Sequence, residues 1–270
     1  MPPSVSAMAC SAEERAHLPD PFCTGHAKFT DGETTRTYLV QGEAITLRHH
    51  PDVFPPSAFG LQFGAQVQFR GCDRAADIGS GTGLLAILAG RKGVLDVVAT
   101  DTSERAVRLT ERNARELNDL SCVSGRCGSF FAGVGGTFDV ITANLPQEII
   151  PPNHLATLSA SQASAIDGLG PGGNAILLEF LDIAPAHMHE RTRLYVIVNT
   201  ITDHASTLRK IDERYAKRLL WRGLARTKDF VRDNIPYFRG LMAEGTISIA
   251  QDEKGVWFAH QYIYELRLKR

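Results

Sequence analysis

Asp77-Ile78-Gly79-Ser80-Gly81-Thr82-Gly83 is the stretch on which the reading of this chain turns. It follows the apolar pair Ala75-Ala76 and opens onto Leu84-Leu85-Ala86-Ile87-Leu88-Ala89, a run with helix character. Strand, glycine-rich turn and helix together are the layout of a nucleotide-cofactor site, because glycine lets the backbone turn sharply and approach a ligand closely. The spacing narrows the choice. A dinucleotide loop of the form G-x-G-x-x-G would place a glycine at position 84, where Leu84 stands; here the third glycine comes one residue early, at Gly83.

Downstream, Val94-Leu95-Asp96-Val97-Val98-Ala99-Thr100 reads as the next buried parallel strand. It ends in Asp101, about twenty residues after the loop, where an acidic residue accepts hydrogen bonds from ribose hydroxyls; a plain strand-end or turn acid is the structural alternative. Ser103 then suits the cap of an amphipathic helix over 104–117.

The Asp-x-Gly-x-Gly-x-Gly pattern with Asp101 resembles the first motif of class I S-adenosylmethionine-dependent methyltransferases. That resemblance implies S-adenosylmethionine as cofactor, held by Asp77, Gly79, Ser80, Gly81, Thr82, Gly83, Asp101 and Thr102. A second constellation, Phe138 to Gln147, delivers Asn144-Leu145-Pro146-Gln147 at the end of an apolar strand. It resembles the Asn-Pro-Pro-Tyr motif of amino-group methyltransferases, with Leu145 in place of the first proline and Gln147 in place of the aromatic. By that resemblance Asn144, Pro146 and Gln147 are the expected catalytic residues, with Asn144 also beside the cofactor. An ordinary strand-to-turn exit is the plain structural alternative.

Further positions follow the same likeness. Val53-Phe54-Pro55-Pro56-Ser57 lies where release-factor glutamine methyltransferases and their relatives carry a proline-containing cofactor roof, which singles out Phe54. Ser129 stands where that group often has an Asp near the adenine amine, and Phe130 is placed to pack on the base. Glu179 has a counterpart in the group, or is a plain strand carboxylate. The resemblance spans about 34–182. The segment before it is shorter than the helical docking domain of release-factor methyltransferases, which points away from a release factor. The Pro-Gln ending is similar to the methionine S-methyltransferase motif.

The expected fold is α/β: a Rossmann-like doubly wound sheet of about seven strands with a terminal antiparallel hairpin, an N-terminal β-hairpin and a helical insertion or lid. Within 270 residues, 1–27 read as a flexible leader, with at most a short helix over 11–17, and 28–270 as one domain. Inside it, 28–70 hold the hairpin and cofactor roof, 71–200 the core, 201–245 a helical insertion and 246–270 the closing hairpin. Strands are expected near 74–78, 96–100, 122–125, 138–143 and 174–180, the last after Gly170-Pro171-Gly172-Gly173. The β-like run 194–200 has no assigned place, and 205–229 read as a polar helix.

Composition sets the remaining bounds. A net charge of −1 gives no global attraction to nucleic acid or membrane, although 209–270 carry an excess of Lys and Arg. Five scattered cysteines without paired C-x-x-C spacing fit a reduced, cytoplasmic protein without a metal site. No apolar stretch reaches membrane-spanning length, and no signal-peptide pattern opens the chain. The expected activity is in-line methyl transfer to a nitrogen of a small polar metabolite, amino acid or amide, with protein and RNA left open. Alternatives are a nucleobase amino group of RNA, S- or O-methylation of a metabolite, and, in another class, an NAD-binding oxidoreductase. The oligomeric state is left unassigned.

Overall fold

A computed structural model describes residues 32–269. The expected leader 1–27 lies outside the described residues. Strands β1 (Thr34–Val40) and β2 (Glu43–His49) pair as an antiparallel hairpin. Alternation along them puts Tyr38, Val40, Ile45 and Leu47 inside, as period-two patterning requires. Helix α1 (Ala58–Gln66) follows Pro55-Pro56 and is capped by Ser57, whose Oγ accepts from the Gly60 N–H at 3.0 Å.

The main sheet carries β3 (Arg74–Ile78), β4 (Asp96–Asp101), β5 (Val123–Cys127), β6 (Phe138–Ala143), β7 (Met188–Asn199), β8 (Tyr215–Arg226), β9 (Ile249–Gln251) and β10 (Trp257–Leu268). Its order is β5-β4-β3-β6-β7-β10-β8, with β9 also on β10. The first five run parallel, and β10 is antiparallel to both β7 and β8. The chain moves from β3 outward to β4 and β5, then returns to place β6 on the other side of β3. That reversal opens a crevice at the carboxyl ends of β3, β4 and β6, the usual ligand position in such sheets.

Helices cover both faces. On one, α1 and α2 (Leu84–Arg91) pack with the N-terminal hairpin; Ile87 and Leu88 are fully buried there. On the other, α6 (Ala175–Ile183) and α7 (His204–Arg214) lie against β6 and β7. Between β6 and α6 run the short α4 (Pro152–Leu155) and α5 (Ala160–Ile166). Helix α3 (Glu104–Arg112) continues into a wider π-turn, Asn113–Leu117.

Two expectations are corrected, and one unplaced run finds its place. The segment after Gly170-Pro171-Gly172-Gly173 is the helix α6, not a strand. Leu177, Phe180, Leu181 and Ala184 are buried, and their i, i+3, i+4, i+7 spacing matches a helical face; local β-propensity gave way to that packing. The stretch 205–229 is not one helix: α7 ends at Arg214 and the chain continues as the sheet-edge strand β8. Lys217, Arg218, Arg222 and Arg226 gave it a helical look, yet charged residues are what an edge strand carries. The unplaced run 194–200 belongs to β7, in the middle of the sheet between β6 and β10.

The closing hairpin is present as β9 and β10, but the longer partner of β10 is β8. Most aromatics of the expected insertion 201–245 pack inward. Tyr215, Phe230 and Phe238 are buried, and Trp221 lies against Phe59 with ring centroids 5.7 Å apart. Helices α8 (Asp229–Asp233) and α9 (Ile235–Ala243) brace the segment after β6, where His154 stacks on Phe230 at 4.7 Å. No helix among the described residues is long and apolar enough to cross a membrane.

Candidate active site

A cavity of about 410 Å³ opens at the carboxyl ends of β3, β4 and β6. This is within the range of about 300–1,000 Å³ typical of small-molecule sites. Its floor is the glycine loop. Gly79, Gly81 and Gly83 have φ of 74°, 54° and 91°, the left-handed region that side chains disfavour. Space is also short: a Cβ on Gly83 would stand 2.9 Å from Thr110 Cγ2, and one on Gly79 would stand 3.2 Å from Leu145 Cδ2. Glycine at 83 lets α2 start tight against α3, and glycine at 79 keeps the loop low beneath the segment after β6.

Asp77 is fully inside the protein. Its Oδ1 accepts from Thr142 Oγ1 at 2.8 Å, and its Oδ2 accepts from the Ala86 N–H at 3.2 Å in the first turn of α2. Burial pushes its carboxyl up to about 7, with the Asp101 charge adding to the rise and the two hydrogen bonds opposing it. Asp101, at the end of β4, accepts from the Gly81 N–H at 3.0 Å and the Ser103 N–H at 2.9 Å. It thereby ties the glycine loop to the start of α3 and keeps lone pairs open for a ligand. Thr110 adds a hydroxyl donated to the Gly81 carbonyl at 3.1 Å. Asn113 in the π-turn donates to the Thr82 and Arg48 carbonyls at 2.9 and 3.0 Å. Its fixed position joins the loop to β2, and π-turns are common beside functional sites.

The expected residues assemble here with two exceptions. From the floor, Asp77, Gly79, Ser80, Gly81 and Thr82 line the cavity; from the end of β4 come Asp101 and the following Thr102. Ser129 and Phe130 follow β5, and Phe130 holds a φ of 50°, unusual for a bulky residue. Phe54 roofs the opening, and Asn144 and Pro146 stand on the β6 side. Gly83 lies behind the wall as a packing glycine. Gln147 also lies outside the lining: it is buried, and its Nε2 donates to the Leu145 carbonyl at 3.4 Å. That inward turn follows from the bracing of the next residues, where the Glu148 backbone forms a parallel β-bridge with Asp167 and its carbonyl accepts from the Gly168 N–H at 3.1 Å.

The side chain of Asn144 is exposed to the cavity and makes no hydrogen bond among the described residues. Sequence reasoning missed Asp52, Thr110, Asn113 and Thr142, which are far from the motif or packed behind it. It named Glu179 but placed it on a strand. The signal for α6 lay in the sequence, in the helical spacing of Leu177, Phe180 and Leu181.

The lining includes four carboxylates, Asp52, Asp77, Asp101 and Glu179, and no lysine, arginine or histidine. A pyrophosphate would meet like charge, whereas a sulfonium with an α-ammonium group meets opposite charge. The glycine cradle, the Asp101 carboxylate and this polarity fit S-adenosylmethionine. A cation in the cavity favours the charged form of Asp77. Cofactor affinity is therefore expected to rise between pH 6 and 8, as Asp77 loses its proton near 7 in the free protein, by up to about tenfold. Calorimetry at several pH values, with Asp77→Asn as the flat control, measures it. For stability the sign is opposite: the raised carboxyl favours the folded state at low pH, and that contribution is lost as pH rises through about 7.

Among the described residues no group of acidic, His and Cys side chains could hold a metal, and Cys72, Cys122 and Cys127 are free thiols. A sequence profile of the family described as Ribosomal protein L11 methyltransferase (PrmA) matches residues 59–165, less than half of the chain. A protein of Methanocaldococcus jannaschii named "Putative protein N5-glutamine methyltransferase" is 29% identical over 174 residues, 64% of this chain and 85% of that protein. The ribosomal protein L11 methyltransferase of Lactobacillus helveticus is 37% identical over 105 residues, 34% of this chain and only 33% of its own length. In fold, the chain is similar to the Thermus thermophilus 16S rRNA N2 G1207 methyltransferase, solved with AdoMet and guanosine. The TM-score is 0.52 at 17% identity, covering 88% of this chain and 51% of that one. With a glycine cradle at the switch point of this sheet and these likenesses around it, the chain is an S-adenosylmethionine-dependent methyltransferase.

Proposed function

We propose that the enzyme methylates the side-chain amide nitrogen of a glutamine in a protein. Asn144 carries this reading. It projects from the end of β6 into the cavity with its amide unpaired, ready to accept an N–H from a planar amide and to orient the nitrogen. S-adenosylmethionine, when bound, supplies an activated sulfonium methyl group. The protein then has to supply position, because the reaction is an in-line displacement and alignment alone accounts for several kcal/mol of barrier.

The absence of histidine and lysine from the lining favours an amide over an amine. An alkyl amine is protonated at neutral pH and needs a base to expose its lone pair, with a pKa of about 10.4 for lysine. An amide nitrogen carries no extra proton, but its lone pair is delocalised into the carbonyl, so an acceptor on one N–H is what turns it toward the methyl group. As the N–C bond forms the S–C bond breaks, the thioether leaves, and the displaced amide proton passes to solvent. Phe54 and Leu169, both about half exposed, give the cavity an apolar rim suited to a polypeptide. The archaeal relative's name supports the same acceptor.

The basic excess of 209–270 gives an RNA acceptor little support. Lys210 and Arg214 pair with Asp182, Lys217 with Asp212, and Arg218 and Arg267 with Glu265. A small metabolite would leave the apolar rim without a partner.

The test is transfer of isotope-labelled methyl from S-adenosylmethionine into a cell extract. The label is expected in acid-insoluble material that resists nuclease and is released by protease, with mass spectrometry placing one methyl on a glutamine side chain. Label in RNA or in acid-soluble metabolites overturns the assignment.

A further inference from the structure

We propose that Lys228 is a positioning residue for Phe54: a clasp that fastens the roof of the cavity to the segment carrying Asn144 and so sets how readily the cavity opens. The inference rests on reading this cavity as the methyl-transfer site, not on the identity of the acceptor. Lys228 stands at the start of α8, two residues after β8. Its base is fixed, because the N–H and the hydroxyl of Thr227 both donate to the Trp257 carbonyl, at 2.9 and 3.2 Å. From there its Nζ reaches two segments that only the fold brings together. It lies 2.7 Å from Glu148 Oε1 and 5.6 Å from the centroid of the Phe54 ring, within cation–π range.

Both contacts bear on the cavity. Phe54 lines it, and the Phe54 carbonyl lies over the glycine loop, 3.6 Å from where a Cβ on Gly81 would stand. Glu148 comes four residues after Asn144, on the stretch that also supplies Leu145 and Pro146 to the lining. The pair differs from an ordinary surface ion pair. Glu148 Oε2 is closed off from solvent and meets no hydrogen-bond donor among the described residues. Burial raises the Glu148 carboxyl, and the Lys228 ammonium opposes that rise. A buried carboxylate that loses its partner is costly, which holds the ammonium at Glu148 and, with it, over the half-exposed Phe54 ring. To open the roof, the ring must leave a cation that cannot follow it. A roof held in this way makes ligand release the step that registers the clasp.

Release of isotope-labelled S-adenosylhomocysteine, chased with unlabelled ligand, tests the assignment. Lys228→Met is expected to speed release about fivefold, the scale of one partly desolvated cation–π contact. Lys228→Arg, which keeps the charge and stacks on a ring, should recover most of the slow release. In a Phe54→Leu background, Lys228→Met should add little, because the ring it acts through is gone. Lys228→Met combined with Glu148→Gln leaves no unpaired buried charge. That double variant should regain the melting temperature of the unmodified enzyme and still release ligand as fast as Lys228→Met alone. Unchanged release in Lys228→Met overturns the proposal, as does an effect of full size in the Phe54→Leu background. Slow release restored by Glu148→Gln in the double variant also overturns it, making Lys228 a charge partner of Glu148 and no more. Failure of the unmodified enzyme to bind S-adenosylhomocysteine would instead overturn the cofactor reading, a separate result.

Discussion

Asn144→Ala is expected to leave S-adenosylhomocysteine affinity nearly unchanged while lowering turnover about a hundredfold or more, the scale of misplacing a reactant by about an ångström. The separation follows from where Asn144 stands. Its backbone directly follows β6 and passes beside Gly79, so the cofactor floor keeps its shape when the side chain is cut back. Its amide has no structural hydrogen bond among the described residues to lose, and the side chain is exposed, so stability should change by less than about 1 kcal/mol. Only the acceptor should register the loss. Single-turnover kinetics with saturating cofactor, alongside calorimetry, measures both quantities. Unchanged turnover removes Asn144 from the reaction, and equal losses in affinity and turnover make it a cofactor residue.

Asp101→Ala is expected to show the reverse pattern, with cofactor affinity falling about a hundredfold through loss of charge-assisted bonds to the ribose hydroxyls. Part of that loss is indirect. The Asp101 carboxylate also accepts from the Gly81 and Ser103 N–H groups, so the loop it braces loosens with it. Asp101→Asn, which keeps one carbonyl acceptor but no charge, should lie between. With cofactor at saturating concentration both variants should recover much of their turnover, since neither touches the acceptor side. An unaltered affinity for S-adenosylhomocysteine in Asp101→Ala would place the ribose elsewhere.

The two residues illustrate how unevenly the site is written along the chain. Asp77, the glycines and Asp101 are close in sequence because one strand-turn-helix-strand unit builds the cofactor floor, and each belongs there for local backbone reasons. Asn144 was legible too, as a polar residue at the mouth of an apolar strand. Gln147 read as a neighbour in the same motif, yet it turns inward because the residues after it are held by the 167–173 loop and by α8. A two-residue offset in sequence says nothing about which way a side chain faces once the chain leaves its strand.

Elements whose identity depends on distant partners were harder to read. The stretch 175–183 is rich enough in Ile and Leu to pass for a strand, and it becomes a helix because its buried face meets Phe130, Phe131 and β6. Strand β8 carries the charges of a solvated helix and becomes a strand because β10 pairs with it over eleven residues. The loop and the acid after β4 lie close enough in sequence for their resemblance to a methyltransferase motif to imply the cofactor, since that chemistry is short-range. Which carboxylates line the cavity, which polar side chain turns away and which helix closes it were decided only by the folded sheet, because those contacts join residues that the chain keeps far apart.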